Sequence, residues 1–242
     1  MRSGNEKPIG RIVGLWRYPV KSMGAEALEK VDVSWFGLAG DRRWAFVRDD
    51  AGQSGFPWLT IRERSNMMDY QPYLLDPTRP DQSAVMVRTP SGEDLEISDA
   101  KLGSELYPKG VRLIKQDRGV FDTFPLSLIT TQTIADLGKS VGSSLDVQRF
   151  RPNFLVEAYG TDPFPEDNWV GCALRIGSMC IRVDKRDGRC AVITVDPNTS
   201  QRNPEVLRSV VQNRGGCLGV YGTVVKPGEV RVGDPIVILE KP

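Results

Sequence analysis

The sequence contains no histidine. That excludes Ser-His-Asp and Cys-His hydrolases, histidine-ligated zinc enzymes and imidazole proton shuttles. Any chemistry at neutral pH must then come from a thiolate, carboxylates, Lys, Tyr or a bound cofactor. Cysteine is scarce as well. Cys172, Cys180, Cys190 and Cys217 are the only four, and none forms a Cys-x-x-Cys pair, which argues against structural zinc. Four cysteines among 242 residues do not build a disulfide scaffold, so a reducing, cytoplasmic setting is expected. No apolar run approaches the ~20 residues of a membrane helix. The polar stretch Met1–Pro8 lacks the apolar core of a signal peptide. Net charge is only +1, so nothing global points to nucleic acid or to an anionic membrane. There is no flavin motif, no iron–sulfur cysteine set and no Gly-x-Gly-x-x-Gly.

What is abundant is punctuation, with 24 Gly and 17 Pro spread throughout. Short β-type runs recur between turns: Arg11–Tyr18, Ala45–Val47, Val85–Arg88, Val111–Ile114, Phe154–Val156, Leu174–Ile176, Cys180–Val183, Ala191–Val195 and Ile236–Leu239. Helical spacing marks Thr131–Val141, with Ile134, Leu137 and Val141 on one face. A second helix is expected over Pro204–Gln212, capped by Asn203 and ended by Gly215-Gly216, and a short third around Asp99–Leu106. The pattern reads as mostly β with a few helices, a β-barrel or sandwich. Leu75–Ser83 reads as a surface loop. The polar Gln116–Phe124 stretch places a domain boundary between residues 1–115 and 116–242.

Several clusters could carry chemistry. In Arg17-Tyr18-Pro19-Val20-Lys21-Ser22, Pro19 stiffens a turn presenting Lys21 and Ser22, either to a phosphate or simply to solvent. Gly40-Asp41-Arg42-Arg43 and Thr60-Ile61-Arg62 supply arginines that could equally be surface ion pairs. Arg149-Phe150-Arg151-Pro152-Asn153 sets guanidinium forks and an amide around a proline, either for phosphate and a heterocycle edge or as a charged sheet edge. Cys190 sits in a turn beside Arg189, whose charge, if close, favours the thiolate; the other cysteines suit small buried positions. Tyr221 lies between Gly219 and Gly222, and Gly233-Asp234-Pro235 resembles a barrel-closing turn.

In this order the motifs Tyr-Pro-Val-Lys-Ser (18–22), Gly-Asp-Arg (40–42), Thr-x-Arg (60–62), Arg-Phe-Arg-Pro-Asn (149–153), Trp-Val-Gly (169–171), Arg189-Cys190, Val-Asp-Pro (195–197), Gly-x-Tyr-Gly (219–222) and Val-Gly-Asp-Pro (232–235) resemble the MOSC proteins, the molybdenum-cofactor-sulfurase C-terminal family, with an N-terminal β-barrel domain. That family includes the mitochondrial amidoxime-reducing component and bacterial reductases of N-hydroxylated bases. The resemblance implies an N-terminal β-barrel-like domain packed on a MOSC β-barrel domain, with a molybdenum–molybdopterin cofactor (Mo-MPT) between them. It puts the metal ligand and catalytic group on Cys190. It puts cofactor contacts on Lys21, Ser22, Arg42, Arg62, Arg151, Asn153, Arg189 and Tyr221, and, less closely matched, on Thr130 and Thr131. Asp196 is a candidate proton relay. The implied activity is reduction of a small N-hydroxylated substrate. The expectation is that electrons come from a separate donor protein, since a fused ferredoxin domain and a membrane anchor found in some relatives are not seen. The alternatives are a cofactor carrier or sulfur-transfer module and a pterin-free binding protein.

Overall fold

The computed structural model describes residues 7–240. Of the polar opening stretch, residues 1–6 lie outside the described residues. The strands in chain order are β1 (Gly10–Arg17), β2 (Glu26–Ala27), β3 (Lys30–Ser34), β4 (Gly37–Leu38), β5 (Trp44–Arg48), β6 (Gln71–Leu74), β7 (Val85–Arg88), β8 (Asp94–Glu96), β9 (Val111–Lys115), β10 (Leu126–Thr130), β11 (Phe154–Ala158), β12 (Ala173–Ile176), β13 (Met179–Gly188), β14 (Cys217–Lys226), β15 (Gly228–Arg231) and β16 (Pro235–Glu240). The helices are α1 (Ala100–Leu106), α2 (Thr131–Val141) and α3 (Pro204–Arg214). The protein is mostly β, as its punctuation implies.

Seven strands close into a barrel in the order β11-β10-β14-β13-β12-β16-β1, with β1 pairing back onto β11 and β2 hanging from the far end of β1. One stave thus comes from the first strand of the chain. Alternation along β13 turns Met179, Ile181 and Val183 inward and Arg182 outward. These meet Ile12, Leu15, Leu128, Phe154, Val156, Leu174 and Val220 in one apolar core. The sheet β15-β3-β4 covers it with Val31, Val33, Leu38 and Val230.

The segment between β4 and β10 forms two small sheets, β5-β9 and β6-β7-β8, around a second core of Val20, Phe46, Ile61, Met67, Val87 and Leu102. A third core lies under α2 and α3. Each helix begins as its sequence dictates. Thr130 Oγ1 accepts from Thr133 N, Asn203 Oδ1 accepts from Glu205 N ahead of Pro204, and Asp99 Oδ1 accepts from Lys101 N. Gly142 and Gly215 end α2 and α3 in the left-handed conformation. No helix among the described residues is long and apolar enough to cross a membrane.

One expected strand is absent. Ala191–Thr194 is a 3-10 turn, not an extended run. Its apolar residues are divided between cores, Ile193 joining the helical one and Val195 that of the small sheets. Burial from two sides replaces a place in a sheet.

Phe154 is fully buried on β11, the strand paired to both β1 and β10. Phe154→Ala should cost about 3–5 kcal/mol. Thermal unfolding followed by circular dichroism should show Tm lowered by roughly 10 °C.

Candidate functional site

Where the barrel meets the small sheets there is a cavity of about 380 Å³. Its wall is made almost wholly of loop ends and turns. Lys21 and Ser22 follow β1, held by the bridge of Val20 to Trp44 and by Lys21 N donating to Trp44 O at 2.8 Å. Arg42 follows β4, Arg62 lies in the Thr60 turn, Arg151 follows a 3-10 turn, and Cys190 follows β13. Tyr221 reaches in from β14, where Gly219 lets the chain pack closely: at φ 74° a Cβ there would meet Leu128 O at 2.7 Å.

Four non-glycine residues of the described chain have positive φ, and three of them line this cavity: Ser22 (68°), Arg42 (50°) and Arg151 (52°). An L-residue held there costs about 1–2 kcal/mol. Such strain concentrates where a side chain is needed in one place.

Buried carboxylates organise the cations. Asp41 accepts from Tyr18 N at 2.7 Å, from Asn153 Nδ2 at 3.1 Å and from Arg42. Two guanidiniums approach the Tyr18 ring, Arg151 at 4.3 Å and Arg42 at 4.6 Å from its centroid. Asp187 accepts from Ser127 Oγ at 3.2 Å and faces Arg189 Nη2 at 3.0 Å; burial pushes its carboxyl up, with Arg189 opposing. Burial and the adjacent Asp187 push the Tyr221 phenol up. Burial pulls the Lys21 ammonium down, opposed by Asp122, to which it is bonded. Burial alone would raise Asp122, but Lys21, Arg62 and Arg42 outweigh it and hold the carboxyl below its usual value. Burial pulls Arg151 down to about 10, so it stays cationic at neutral pH. Arg151 Nη1 donates to Met23 O at 2.6 Å, whereas its buried Nη2 has no hydrogen-bond partner among the described residues.

The cavity brings together Lys21, Ser22, Arg42, Arg62, Arg151, Asn153, Arg189, Cys190 and Tyr221. Two expectations are corrected within it. The guanidinium at the Cys190 thiol belongs to Arg62, whose Nη2 is 3.3 Å from Sγ. Arg189 is turned away, donating to Leu218 O at 2.7 Å and Phe150 O at 2.9 Å and paired with Asp187. Asn153 touches the wall without a free amide edge: Nδ2 donates to Trp16 O and Asp41, and Oδ1 accepts from Ser127 N. It braces the barrel against the Asp41 turn.

Thr130 and Thr131 lie elsewhere. Thr130 caps α2 and donates from Oγ1 to Glu166 Oε2 at 2.8 Å, and Thr131 opens α2 beside a surface groove. Asp196 is consumed by Arg149 at 2.6 Å and by its own turn, leaving no place for it as a relay into the cavity. Sequence reasoning missed Asp122, Phe56, Phe121 and Phe124, which line the cavity. Arg62 stacks on Phe56 with 4.7 Å between guanidinium and ring centroid, and Phe124 lies 5.9 Å from Tyr221. Loop residues without a motif give no signal until the fold closes the loop on the site.

The sequence matches the MOSC domain over residues 115–237 and the MOSC N-terminal beta barrel domain over residues 9–119. The chain belongs to the MOSC domain family. It is similar to the human proteins named mitochondrial amidoxime reducing component 2, 24% identical over 94% of this chain and 83% of the relative, and mitochondrial amidoxime-reducing component 1, 25% identical over 96% and 83%. A shorter stretch, 31% of the chain, is 44% identical to 9% of the molybdenum cofactor sulfurase of Danio rerio. The crystal structure of the YUAD protein from Bacillus subtilis shares the fold, with TM-score 0.51, 13% identity and coverage of 95% and 94% of the two chains.

Ser22 holds, at φ 68°, a left-handed backbone that glycine adopts without a Cβ penalty. Ser22→Gly should stabilise the protein by about 0.5–1 kcal/mol, raising Tm by roughly 1–4 °C in calorimetry. An unchanged or lower Tm would show that this turn carries no strain.

Proposed function

We propose that the cavity holds a molybdenum–molybdopterin cofactor and that the protein reduces N-hydroxylated compounds with electrons from a separate donor protein. One observation carries the reading. A single half-buried thiol, Cys190, lines a cavity that it shares with Lys21, Arg42, Arg62 and Arg151. Among the described residues no group of three or more cysteines and carboxylates could hold a metal ion unaided. One thiolate plus ligands brought by a cofactor meets that constraint.

The residues fit the group. Lys21 and Arg151 would hold its anionic phosphate end through charge-assisted hydrogen bonds, worth about 1.5–3 kcal/mol each. Arg42, fixed by Asp41, keeps the Arg151 backbone in place through Arg151 O at 3.1 Å. Tyr221 and Phe124 offer aromatic surface on one side. Cys190 Sγ would ligate the metal, with Arg62 beside it as a fixed positive charge. When bound, the cofactor supplies two-electron redox chemistry that this histidine-free chain does not have on its own. Phe56 and Phe121 add apolar surface to the cavity lining for a small substrate. The substrate class follows the two human relatives, whose names describe amidoxime reduction.

In protein made in a cofactor-competent host, Cys190→Ser should remove one sulfur from the first shell in the molybdenum X-ray absorption spectrum. Serine at Cys172, Cys180 or Cys217 should leave that shell intact. A constant sulfur count in Cys190→Ser would place the metal elsewhere.

The stretch similar to a molybdenum cofactor sulfurase favours a second reading, a cofactor carrier or sulfur-transfer module. Anaerobic assay separates the two. Molybdenum-loaded protein should convert benzamidoxime to benzamidine with dithionite-reduced viologen and not with NADH alone. No turnover, together with activation of an apo-molybdoenzyme, would establish the carrier instead.

A further inference from the structure

The contact of Arg62 with Cys190 joins two segments that lie in no strand, one from each half of the chain. Something must register them. Arg202, an exposed residue, sends Nη2 to Ile61 O at 2.8 Å and to Arg62 O at 3.1 Å. From the other nitrogen, Nη1 reaches Ala191 O at 3.4 Å and Thr194 Oγ1 at 3.3 Å. One planar guanidinium thus spends its donors on the segment carrying Arg62 and on the turn that begins at Cys190. An ordinary surface arginine pairs with one neighbour or with water; a division between these two segments is what a staple requires.

The loop that presents Arg202 is anchored on both sides. At its base Arg149 Nη2 donates to Asp196 Oδ2 at 2.6 Å, and Nη1 donates to Thr194 O at 2.9 Å. Val195 bridges to the Arg202 backbone and is buried in the core of the small sheets. At the tip, Ser200 takes φ 56° and donates from Oγ to Asp69 Oδ1 at 2.8 Å. This is the fourth left-handed non-glycine residue, and it serves the same junction as the other three. We infer that residues 196–202 form a clasp between the two halves and that Arg202 is a positioning residue, fixing the Arg62 guanidinium over the Cys190 thiol. The clasp rests on the cofactor reading for its use, not for its geometry.

The test uses cofactor-free protein and a small neutral alkylating reagent, acrylamide. At roughly pH 9.5, above the ~8.5 of a free thiol, the rate reports access to sulfur. Peptide mass spectrometry follows Cys190, with Cys180 as the internal reference. Arg202→Gln should raise the Cys190 rate about threefold or more, since a loosened segment uncovers Sγ, and should leave Cys180 unchanged. Arg202→Lys, which keeps the charge but not the fork, should also raise it. Arg208→Gln, an exposed arginine paired with Glu205 on α3, should not. In an Arg62→Gln background, Arg202→Gln should add nothing further, because both act on one contact. An unchanged Cys190 rate in both Arg202 variants, additivity with Arg62→Gln, or a parallel rise at Cys180 would overturn the assignment. Molybdenum per chain in holoprotein should fall in Arg202→Gln as in Arg62→Gln. A wild type without molybdenum, alongside the expected alkylation pattern, would sink the cofactor reading and leave the clasp standing.

Discussion

A carboxylate buried to zero exposure, Asp41, is the constraint on which the site depends. Taking a carboxylate out of water costs several kcal/mol unless its oxygens are matched. Here they are matched by the backbone of Tyr18, the guanidinium of Arg42 and the amide of Asn153, which come from the turn after the first strand, its own turn and the far half of the chain. Satisfying Asp41 therefore locks the relative placement of barrel and small sheets. Tyr18, pinned by that bond, sends its hydroxyl to within 3.1 Å of Pro152 O, and its ring is approached by both Arg42 and Arg151. Two like charges share one aromatic ring that attracts both. The cationic wall of the cavity is built by one anion and one ring behind it.

A second carboxylate repeats the device on the opposite side. Asp187 holds Arg189 and accepts from Ser127, while the thiol beside it is met by Arg62. Pairing near Asp187 is irregular, with register shifts between Val183/Lys185 and Arg186/Gly188. Bulges of this kind gather beside functional sites because they end regular pairing where a side chain must be re-aimed. The chain thus divides its arginines into those that hold the wall and those that face inward.

That division explains what the sequence could and could not tell. Strands with clean alternation, capped helices and glycine stops are local properties, and β7, α2 and α3 could be read directly. So could the turns bearing Lys21, Arg151 and Cys190, because proline and glycine mark them. Arg62 and Arg189 look alike in a string of letters, and adjacency in sequence favoured the wrong one as the partner of Cys190. A residue next to the thiol along the chain is carried to the other side of the strand end, while one far away is folded onto it. Asn153 was recognised as unusual, but its role depends on Asp41, more than a hundred positions off. Ala191–Val195 has strand composition, yet its burial comes from two cores, and composition does not record the number of faces a segment hides. The aromatic part of the lining, at Phe56, Phe121 and Phe124, had no motif at all.

The stave supplied by β1 has a consequence for the order of assembly. Gly10 pairs with Ala158 on one side and Ile236 on the other, so the barrel is stitched from the two ends of the described chain. One edge of β1 stays unpaired until residues 235–236 are in place. Pairings this remote fold slowly, because loop closure must precede the contacts that reward it. The cavity wall contains the turn that follows this late-closing strand. The shape of the pocket therefore depends on a pairing that spans almost the whole of the described sequence.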